Sequence, residues 1–532
     1  MQNWILFFKM KNKYLWPVVI AGSMAFGVIV GGLSYRYLSP SSPIQSSGRI
    51  KLEKLIDLIE QEYVDHVDTD SILDLTVNNI LSQLDPHSTY ISKSEIAEVQ
   101  EAMKGSFVGI GINYYMLHDT LAVVKTLEGG PSQKAGLQAG DRILSVNGSE
   151  LFGKEISNDS VVNLLKGPYG SSLNLNVYRK KTKSFYDVKV TRGDVPLKSV
   201  DVAIKINDTL GYIKINRFSE TTYTEFKNGL EDLLKNNINS FVLDLRENGG
   251  GYMEPAIQIA DEFLAKDDVI VKTVNKKGNV KITMASSNGN FTDGLLYVLI
   301  NENSASASEI VAGAIQDNDR GYVIGRRSFG KGLVQREMYL GDGSAIRLTT
   351  ARYYTPSGRS IQKPYHNGAE LYSNDLNARF KQGELYEKDS KHLADSLQFK
   401  TKNGRIVYGG GGIVPDVFVP SQNKHGEDAI QLLMRTSLVS YYVFEQIESE
   451  RNILEGMTYE ELANYIYADP KYFTQLKTHL RNSGLTFNLD RHRDKIMFYL
   501  VAEYIQQLYT DKEYYKWILT QDNMIQKINT LH

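Results

Sequence analysis

The sequence predicts a multidomain α/β (α+β) chain: an N-terminal membrane helix, a small helical domain, a compact mixed domain, an α/β core and a helical C-terminal region. Three observations carry this. A run of about 20 residues without a charge, long enough for a helix across a bilayer core, lies near the start. The middle of the chain passes from short β-type runs split by glycine turns to buried-strand runs that alternate with helical ones. Beyond Pro420 the chain is helical in pattern and rich in Tyr, Leu and Ile. Its 532 residues suffice for three or four domains at roughly 150 residues each.

The uncharged run covers residues 14–33, within a span of 14–35. Lys9, Lys11 and Lys13 precede it and a single Arg36 follows, so residues 1–13 are expected in the cytoplasm and the rest outside it. A cleaved signal peptide is the competing reading, but the run is long for one and no small-x-small cleavage site stands near Gly32. Residues 36–50 hold a Pro/Ser-rich tether with little surface to bury. From 51 to 104, apolar residues at helical spacing, such as Leu52, Leu55, Ile56 and Ile59, predict two or three short helices.

Residues 105–194 read as the compact mixed domain, with strands VGIGINYY, TLAVVKTL, DRILSVNG and SLNLNVYR and brief helices near 132–137 and 160–165. Residues 195–420 alternate the strands LGYIKI, SFVLDL and LLYVLI with helices near 223–234, 253–263 and 309–316. A polar insertion interrupts this core near 365–405. Residues 421–532 carry no assignable motif.

Charge and composition exclude several functions. Sixty Lys and Arg against 62 Asp and Glu leave no positive excess for nucleic acid. Peptide or protein substrates fit better. The absence of cysteine rules out a thiol nucleophile, a disulfide framework and a zinc-thiolate site.

Residues 301–317, NENSASASEIVAGAIQD, run from a buried strand through small residues into a helix. Such a junction exposes Ser306, and the helix start offers free N–H groups to an oxyanion. Ser306 and Glu309 also fit a capping box without catalysis, and the segment alone leaves both readings open. A serine hydroxyl needs a base. The histidines have no helpful setting; His87, in LDPHSTY, is the most motif-like. Lys331, between Gly330 and Gly332 and followed by Leu333 and Val334, suits a lysine held neutral by burial, against the alternative of a solvated surface lysine. The spacing from Gly325 to Lys331 matches a phosphate loop, but Gly332 stands where magnesium would need Ser or Thr. FVLDLRENGGG, residues 241–251, ends a strand in Asn248 and three glycines, either a plain turn or one that aims amides at a ligand. Val108, Gly109, Ile110, Gly111 and Ile112 form either a strand bulge or a loop that presents amides to a terminal carboxylate.

Together these stretches resemble the carboxyl-terminal processing proteases, also called tail-specific proteases. The resemblance covers about residues 51–420 through LDPHSTY, GIGI, AGLQAGDRILSVNG, DLRENGGG, NSASASEIVAGAIQD, SFGKGLVQ, YYTPSGRSIQ and GGIVPDV in order. It implies a PDZ-like domain over 105–194 and a serine protease core over 195–420. The implied activity is serine-type endoproteolysis near substrate C-termini by a Ser-Lys dyad, with no cofactor and no metal. Ser306 becomes the nucleophile, Lys331 the general base and Gln335 its orienter. The backbone N–H groups of Gly250 and Ala307 become the oxyanion hole, and Val108 to Ile112 the loop that takes a substrate tail. Residues four apart on a straight strand stand ~13 Å apart, so Gly332 must permit a bend if Gln335 is to reach Lys331. Gly249 stands where the family usually has proline, which leaves that turn less rigid. The implied setting is a single-pass protein of a bacterial inner membrane with its catalytic part in the periplasm or extracytoplasmic space. Its partners are polypeptides with accessible C-termini, with homo-oligomer or adaptor contacts expected at the C-terminal helices. A non-catalytic scaffold that binds tails is the alternative.

Overall fold

The computed structural model describes residues 17, 19–30, 47–117, 120–154, 156–366, 368–387, 397–422, 430, 433–485 and 488–531. The chain divides into two compact units, residues 1–79 and 80–532. In the first, residues 19–30 are helical and exposed, and helix α1 (Ser47–Glu62) and most of α2 (Thr69–Ser82) follow. Much of the expected membrane span, including residues 14–16, 18 and 31–35, lies outside the described residues. Among the described residues, no helix is long and apolar enough to cross a membrane.

The second unit begins with β1 (Thr89–Ile91) and α3 (Ile96–Lys104), which ends on Gly105 at φ 82°. A β-rich domain follows. Strand β2 (Ser106–Gly109) leads to β3 (Ile112–Leu117), β4 (Thr120–Thr126), the short helix α4 (Pro131–Lys134) and β5 (Asp141–Val146). Then come β6 (Ser149–Glu150), α5 (Asn158–Leu165), β7 (Ser172–Arg179), β8 (Ser184–Thr191) and β9 (Gly193–Pro196). The sheet order is β3-β4-β5-β7-β8, and β2 pairs with β9. Strand β7 alternates as its sequence does: Leu173, Leu175 and Val177 enter the core, while Ser172 and Asn174 face water. Ser157 caps α5 by accepting the Ser160 N–H.

The α/β core is a six-stranded sheet. Its strands are β10 (Val200–Lys205), β11 (Leu210–Ile215), β12 (Ser240–Asp244), β15 (Leu295–Ile300), β16 (Tyr322–Gly325) and β21 (Val417–Phe418), in that order across the sheet. All neighbours are parallel except β10 and β11. Both faces are buried, which is why these strands read as continuous apolar runs. Phe241 and Leu243 of β12 pack with α6 (Thr222–Lys235), α7 (Met253–Asp261) and α8 (Ala307–Asp317) on one face. Val242 packs on the other, against the end of the chain. A second, antiparallel sheet joins β1, β13 (Val269–Asn275), β14 (Val280–Met284), β17 (Leu333–Tyr339) and β18 (Ala345–Tyr354). The expected insertion contributes α9 (Ala369–Ser373), α10 (Asp375–Lys381) and the pair β19 (Gln398–Lys400) and β20 (Ile406–Tyr408), with 388–396 outside the described residues.

Six α-helices follow among the described residues: α11 (Ser437–Leu454), α12 (Tyr459–Ala468), α13 (Lys471–Asn482), α14 (Arg493–Leu508), α15 (Asp511–Leu519) and α16 (Asn523–Asn529). The first five share a core of their own around Leu462, Ile466, Leu476, Leu500 and Val501. The helices also grip the rest of the unit at two places. Leu519, Met524, Ile525 and Ile528 cover the lower face of the core sheet. Phe444 of α11 packs with Leu117, Ala122 and Val124 of the β-rich domain, while Glu448 pairs with Arg142 at 2.9 Å and Arg451 at 2.7 Å.

Candidate active site

The site is assembled where β12, β15 and β16 end. After β15, Asn301 and Ser304 close a turn, with the Asn301 N–H on Ser304 Oγ at 2.9 Å and Ser304 Oγ donating to the Leu245 carbonyl at 2.8 Å. The turn delivers Ser306 at φ 55° and ψ −110°, a conformation costly for a residue with a side chain. Ser306 is half-buried between buried Ala305 and Ala307, so its hydroxyl is reachable. The expected capping box of Ser306 and Glu309 is present, with the Ser306 N–H donating to Glu309 Oε2 at 2.8 Å. The Glu309 N–H also donates to the Ser306 carbonyl at 2.9 Å.

Glu309 is the hub of the site. Fully buried, its carboxylate accepts four hydrogen bonds: Oε2 from Ser306 N–H and Lys331 N–H, both at 2.8 Å, and Oε1 from Ser328 Oγ at 2.6 Å and Gly330 N–H at 2.7 Å. Burial pushes its pKa up to about 7, against the pull of the four donors. Two segments far apart in sequence therefore meet on one oxygen. The backbone nitrogens of Ser306 and Lys331 lie less than two hydrogen-bond lengths apart. The Tyr353 hydroxyl adds a second tie, 3.0 Å from the Ser306 carbonyl and 2.6 Å from that of Lys331.

Lys331 precedes β17. Its Nζ donates to Gln335 Oε1 at 2.9 Å. The separation expected on a straight strand is avoided because Lys331 lies before the strand and the β17–β18 register shifts between Val334 and Gln335. Burial, helped by the nearby Arg347 charge, lowers the Lys331 pKa from the ordinary lysine value. The Gln335 amide donates in turn to the His87 carbonyl. Asp85 holds that carbonyl's turn, accepting the His87 and Ser88 N–H groups at 2.9 Å each and Ser88 Oγ at 2.7 Å. Among the described residues, Ser306 Oγ and Lys331 Nζ share no direct hydrogen bond.

The turn after β12 reaches the same place. Asn248, fully buried, donates through its amide to the Ile215 carbonyl at 3.0 Å, and its own carbonyl accepts from Ala305 N–H at 3.0 Å and Ser308 Oγ at 2.9 Å. Gly250 lies so close to the serine that a Cβ would stand 2.8 Å from Ser306 Cβ, and its φ is 103°. Its N–H donates to Asn248 Oδ1 at 2.9 Å. Ala307 N–H, the first of α8, has no acceptor among the described residues. Of the two expected oxyanion donors, one is thus free and one is engaged. Gly249, where a Cβ would meet open space, is the unhindered point of the turn.

In the β-rich domain, Val108 and Gly109 lie in β2, paired with Asp194 and Gly193, and Ile112 opens β3. Ile110 is buried, and Gly111 turns at φ 73°. Among the described residues strand β3 has one neighbour, so its outer edge is open to an added strand, and Tyr114 bonds across to Asn158 of α5 at 2.7 Å. A cavity of about 1050 Å³ lies elsewhere, between the core sheet and the C-terminal helices, beside Lys214, Asp244, Arg246 and Tyr515. Its lining includes Asn301 but not Ser306, Lys331, Gln335, Gly250 or Ala307.

The profile of peptidase family S41 matches residues 209–368, and that of the PDZ domain residues 108–190. The carboxy-terminal-processing protease of Bartonella bacilliformis is 36% identical over 313 residues, which are 58% of this chain and 71% of that protein. The carboxy-terminal processing protease CtpB of Bacillus subtilis is 33% identical over 371 residues, 66% of this chain and 76% of that one. The chain belongs to peptidase family S41. It is a serine-type peptidase with a PDZ domain, related to the carboxy-terminal processing proteases. Among solved structures, the photosystem II D1 C-terminal processing protease is 28% identical, with 62% of this chain and 85% of that chain covered at a TM-score of 0.35. The peptide-bound PDZ domain of a carboxy-terminal protease from Vibrio cholerae is 32% identical over 17% of this chain and 99% of its own, at a TM-score of 0.16.

Sequence reasoning missed three members of the site. Glu309 was legible only as a capping residue. Asn248 stood out as the end of a strand, without its role as acceptor for Gly250. Tyr353 lies in the motif YYTPSGRSIQ, but nothing local signals a hydroxyl between two distant carbonyls.

Proposed function

We propose that the chain cuts polypeptides near their C-termini, with Ser306 as nucleophile and Lys331 as general base. The observation that carries this is the half-buried Lys331, its Nζ held on Gln335 Oε1, in a segment tied to the Ser306 backbone through one carboxylate oxygen. A lysine whose pKa is lowered by burial has a larger neutral fraction with which to accept a proton.

In this reading, Ser306 Oγ attacks the peptide carbonyl carbon, its proton passes to Lys331 Nζ, and the carbonyl π pair moves onto oxygen. Ala307 N–H receives that oxyanion. Gly250 N–H joins it once it leaves Asn248 Oδ1, and one such donor is typically worth ~3 to 4 kcal/mol. Collapse breaks the C–N bond, and the Lys331 ammonium gives its proton to the leaving amine. Water then attacks the acyl ester, with Lys331 again taking the proton. The open edge of β3 takes the substrate tail as an added strand, with the loop from Val108 to Ile112 at its terminal carboxylate. The apolar stretch over residues 14–33 serves as a membrane anchor that holds the catalytic part outside the cytoplasm of a bacterial cell, and membrane fractionation of the full chain tests that placement. Contacts of the C-terminal helices with a second copy or an adaptor belong to the same reading; light scattering tests the former.

The deciding experiment is cleavage of an unstructured peptide with an apolar free C-terminus by the wild type, Ser306→Ala and Lys331→Ala, beside a C-terminally amidated peptide. Cleavage by the wild type alone, weakened by amidation, supports both the dyad and tail recognition. Binding without cleavage would favour the scaffold alternative.

A further inference from the structure

None of the motifs that carry the sequence resemblance lies in the insertion near residues 365–405, yet it puts a side chain behind the proposed base. Tyr372, in α9, is 6% exposed. Its hydroxyl lies 2.6 Å from His87 Nε2, and its ring meets that of His87 edge-on, with centroids 5.3 Å apart. The His87 carbonyl is the acceptor for the Gln335 amide, so the imidazole that Tyr372 holds belongs to the residue that fixes the base's orienter.

A second path converges on the same hydroxyl. The Gln362 amide reaches Tyr372 Oη at 3.5 Å, while Gln362 Oε1 accepts the N–H of Gly332, the residue after Lys331, at 2.8 Å. Lys363 locks the arrangement from outside. Its Nζ sits 4.2 Å from the Tyr372 ring centroid and 3.9 Å from that of Phe329, and donates to the Tyr372 carbonyl at 3.2 Å and to Asp375 at 3.3 Å. His87 is kept neutral here: burial first, then the Lys331 charge, push its pKa down to about 4. It therefore adds no cation beside the base above that pH.

We infer that Tyr372 is a positioning residue for the catalytic base, acting through His87 and Gln362 to keep the Gln335 carbonyl oxygen on Lys331 Nζ. The insertion is thereby part of the catalytic apparatus. This rests on the reading of Lys331 given above.

The test uses the full chain with Tyr372→Phe, which removes one oxygen and keeps the ring, and Leu371→Ala on the exposed side of the same helix as control. Two readouts are taken. The first is kcat and KM for Ser306-dependent peptide cleavage. The second is the titration midpoint of Lys331 followed by NMR of ¹³C-labelled lysine, with Lys331→Arg assigning the signal. Tyr372→Phe is expected to lower kcat about threefold to tenfold, the effect of one hydrogen bond, with KM unchanged. The Lys331 midpoint is expected to fall, because a displaced Gln335 oxygen no longer favours the ammonium. Leu371→Ala should move neither. A wild type no faster than Ser306→Ala would defeat the functional reading, and the titration alone would then decide the positioning. An unchanged Lys331 midpoint in Tyr372→Phe overturns the inference in either case.

Discussion

Replacement of Glu309 by Gln separates the cost of burying a charge from the value of the bonds it accepts. Glu309 titrates near pH 7 in the folded chain against an ordinary value of 4.5. A raised folded pKa means that the fold favours the protonated form. The resulting stability is fully present below about pH 4.5 and is lost as pH rises through 7. For a shift of this size the linkage relation gives a loss of about 2–3 kcal/mol between pH 5 and pH 8. Gln does not titrate. Its amide oxygen can keep the Ser306 and Lys331 N–H groups, and Ser328 Oγ can turn to accept from its NH₂, which leaves one buried donor, Gly330 N–H, unmatched at about 1–3 kcal/mol at any pH. Glu309→Gln should therefore be less stable than the wild type at pH 5, with the gap closing or reversing by pH 8. Urea unfolding of both proteins at pH 5, 6.5 and 8 measures this directly. A gap that moves by less than about 0.5 kcal/mol across that range would refute the argument and mean that the four donors keep the carboxylate ionised throughout.

Three further outcomes are expected. Gly250→Ala places a Cβ against Ser306 at a backbone conformation that disfavours it, so peptide cleavage should fall by about a hundredfold or more while binding of the peptide tail to the protein, measured by titration calorimetry, is unchanged. Asp522→Ser keeps an N-cap for α16 but removes the 2.7 Å pair with Arg246, which retains Asp244. Urea unfolding should show a loss of about 1–3 kcal/mol, and faster amide exchange in α16 should accompany it. Glu448→Gln weakens the contacts of Arg142 and Arg451 at the junction of α11 with the PDZ domain. Limited proteolysis should then cut the flanks of that domain faster, and an unchanged cleavage pattern would count against the junction as a clamp.

Much of the fold was legible because it is written in short-range periodicity. The runs LGYIKI, SFVLDL and LLYVLI are β11, β12 and β15, and their lack of polar alternation reflects burial on both faces. The serine and lysine stood out by the chemistry of their neighbours. What did not show is what distant segments do to one another. The link from Lys331 to Gln335 depends on a register shift in β17, and a bulge depends on the partner strand as much as on its own residues. Tyr372 sits in a polar insertion whose local pattern gives it no more weight than any other aromatic residue. The burial of Phe444 and Glu448 against the PDZ domain is likewise invisible in a helical pattern that already satisfies its own core.

The arrangement also bears on how the site is switched on. Ser306 is held in a costly conformation by bonds to Glu309 and Tyr353, so its backbone is set before any substrate arrives. The turn at Gly250 is different, because its N–H already has a partner in Asn248 Oδ1. In the proposed mechanism a substrate oxyanion would have to outcompete that neutral acceptor, and a charged oxygen is the stronger one. The carbonyl of a bound but unreacted peptide has no such advantage. An interaction of this kind grows as negative charge develops, and it therefore favours the transition state over the ground state. Asn248 is anchored through its amide to Ile215 and through its carbonyl to Ala305, so the smaller movement belongs to Gly250, next to the unhindered Gly249. On that proposed mechanism, the unhindered Gly249 suits a turn that changes partners during the reaction.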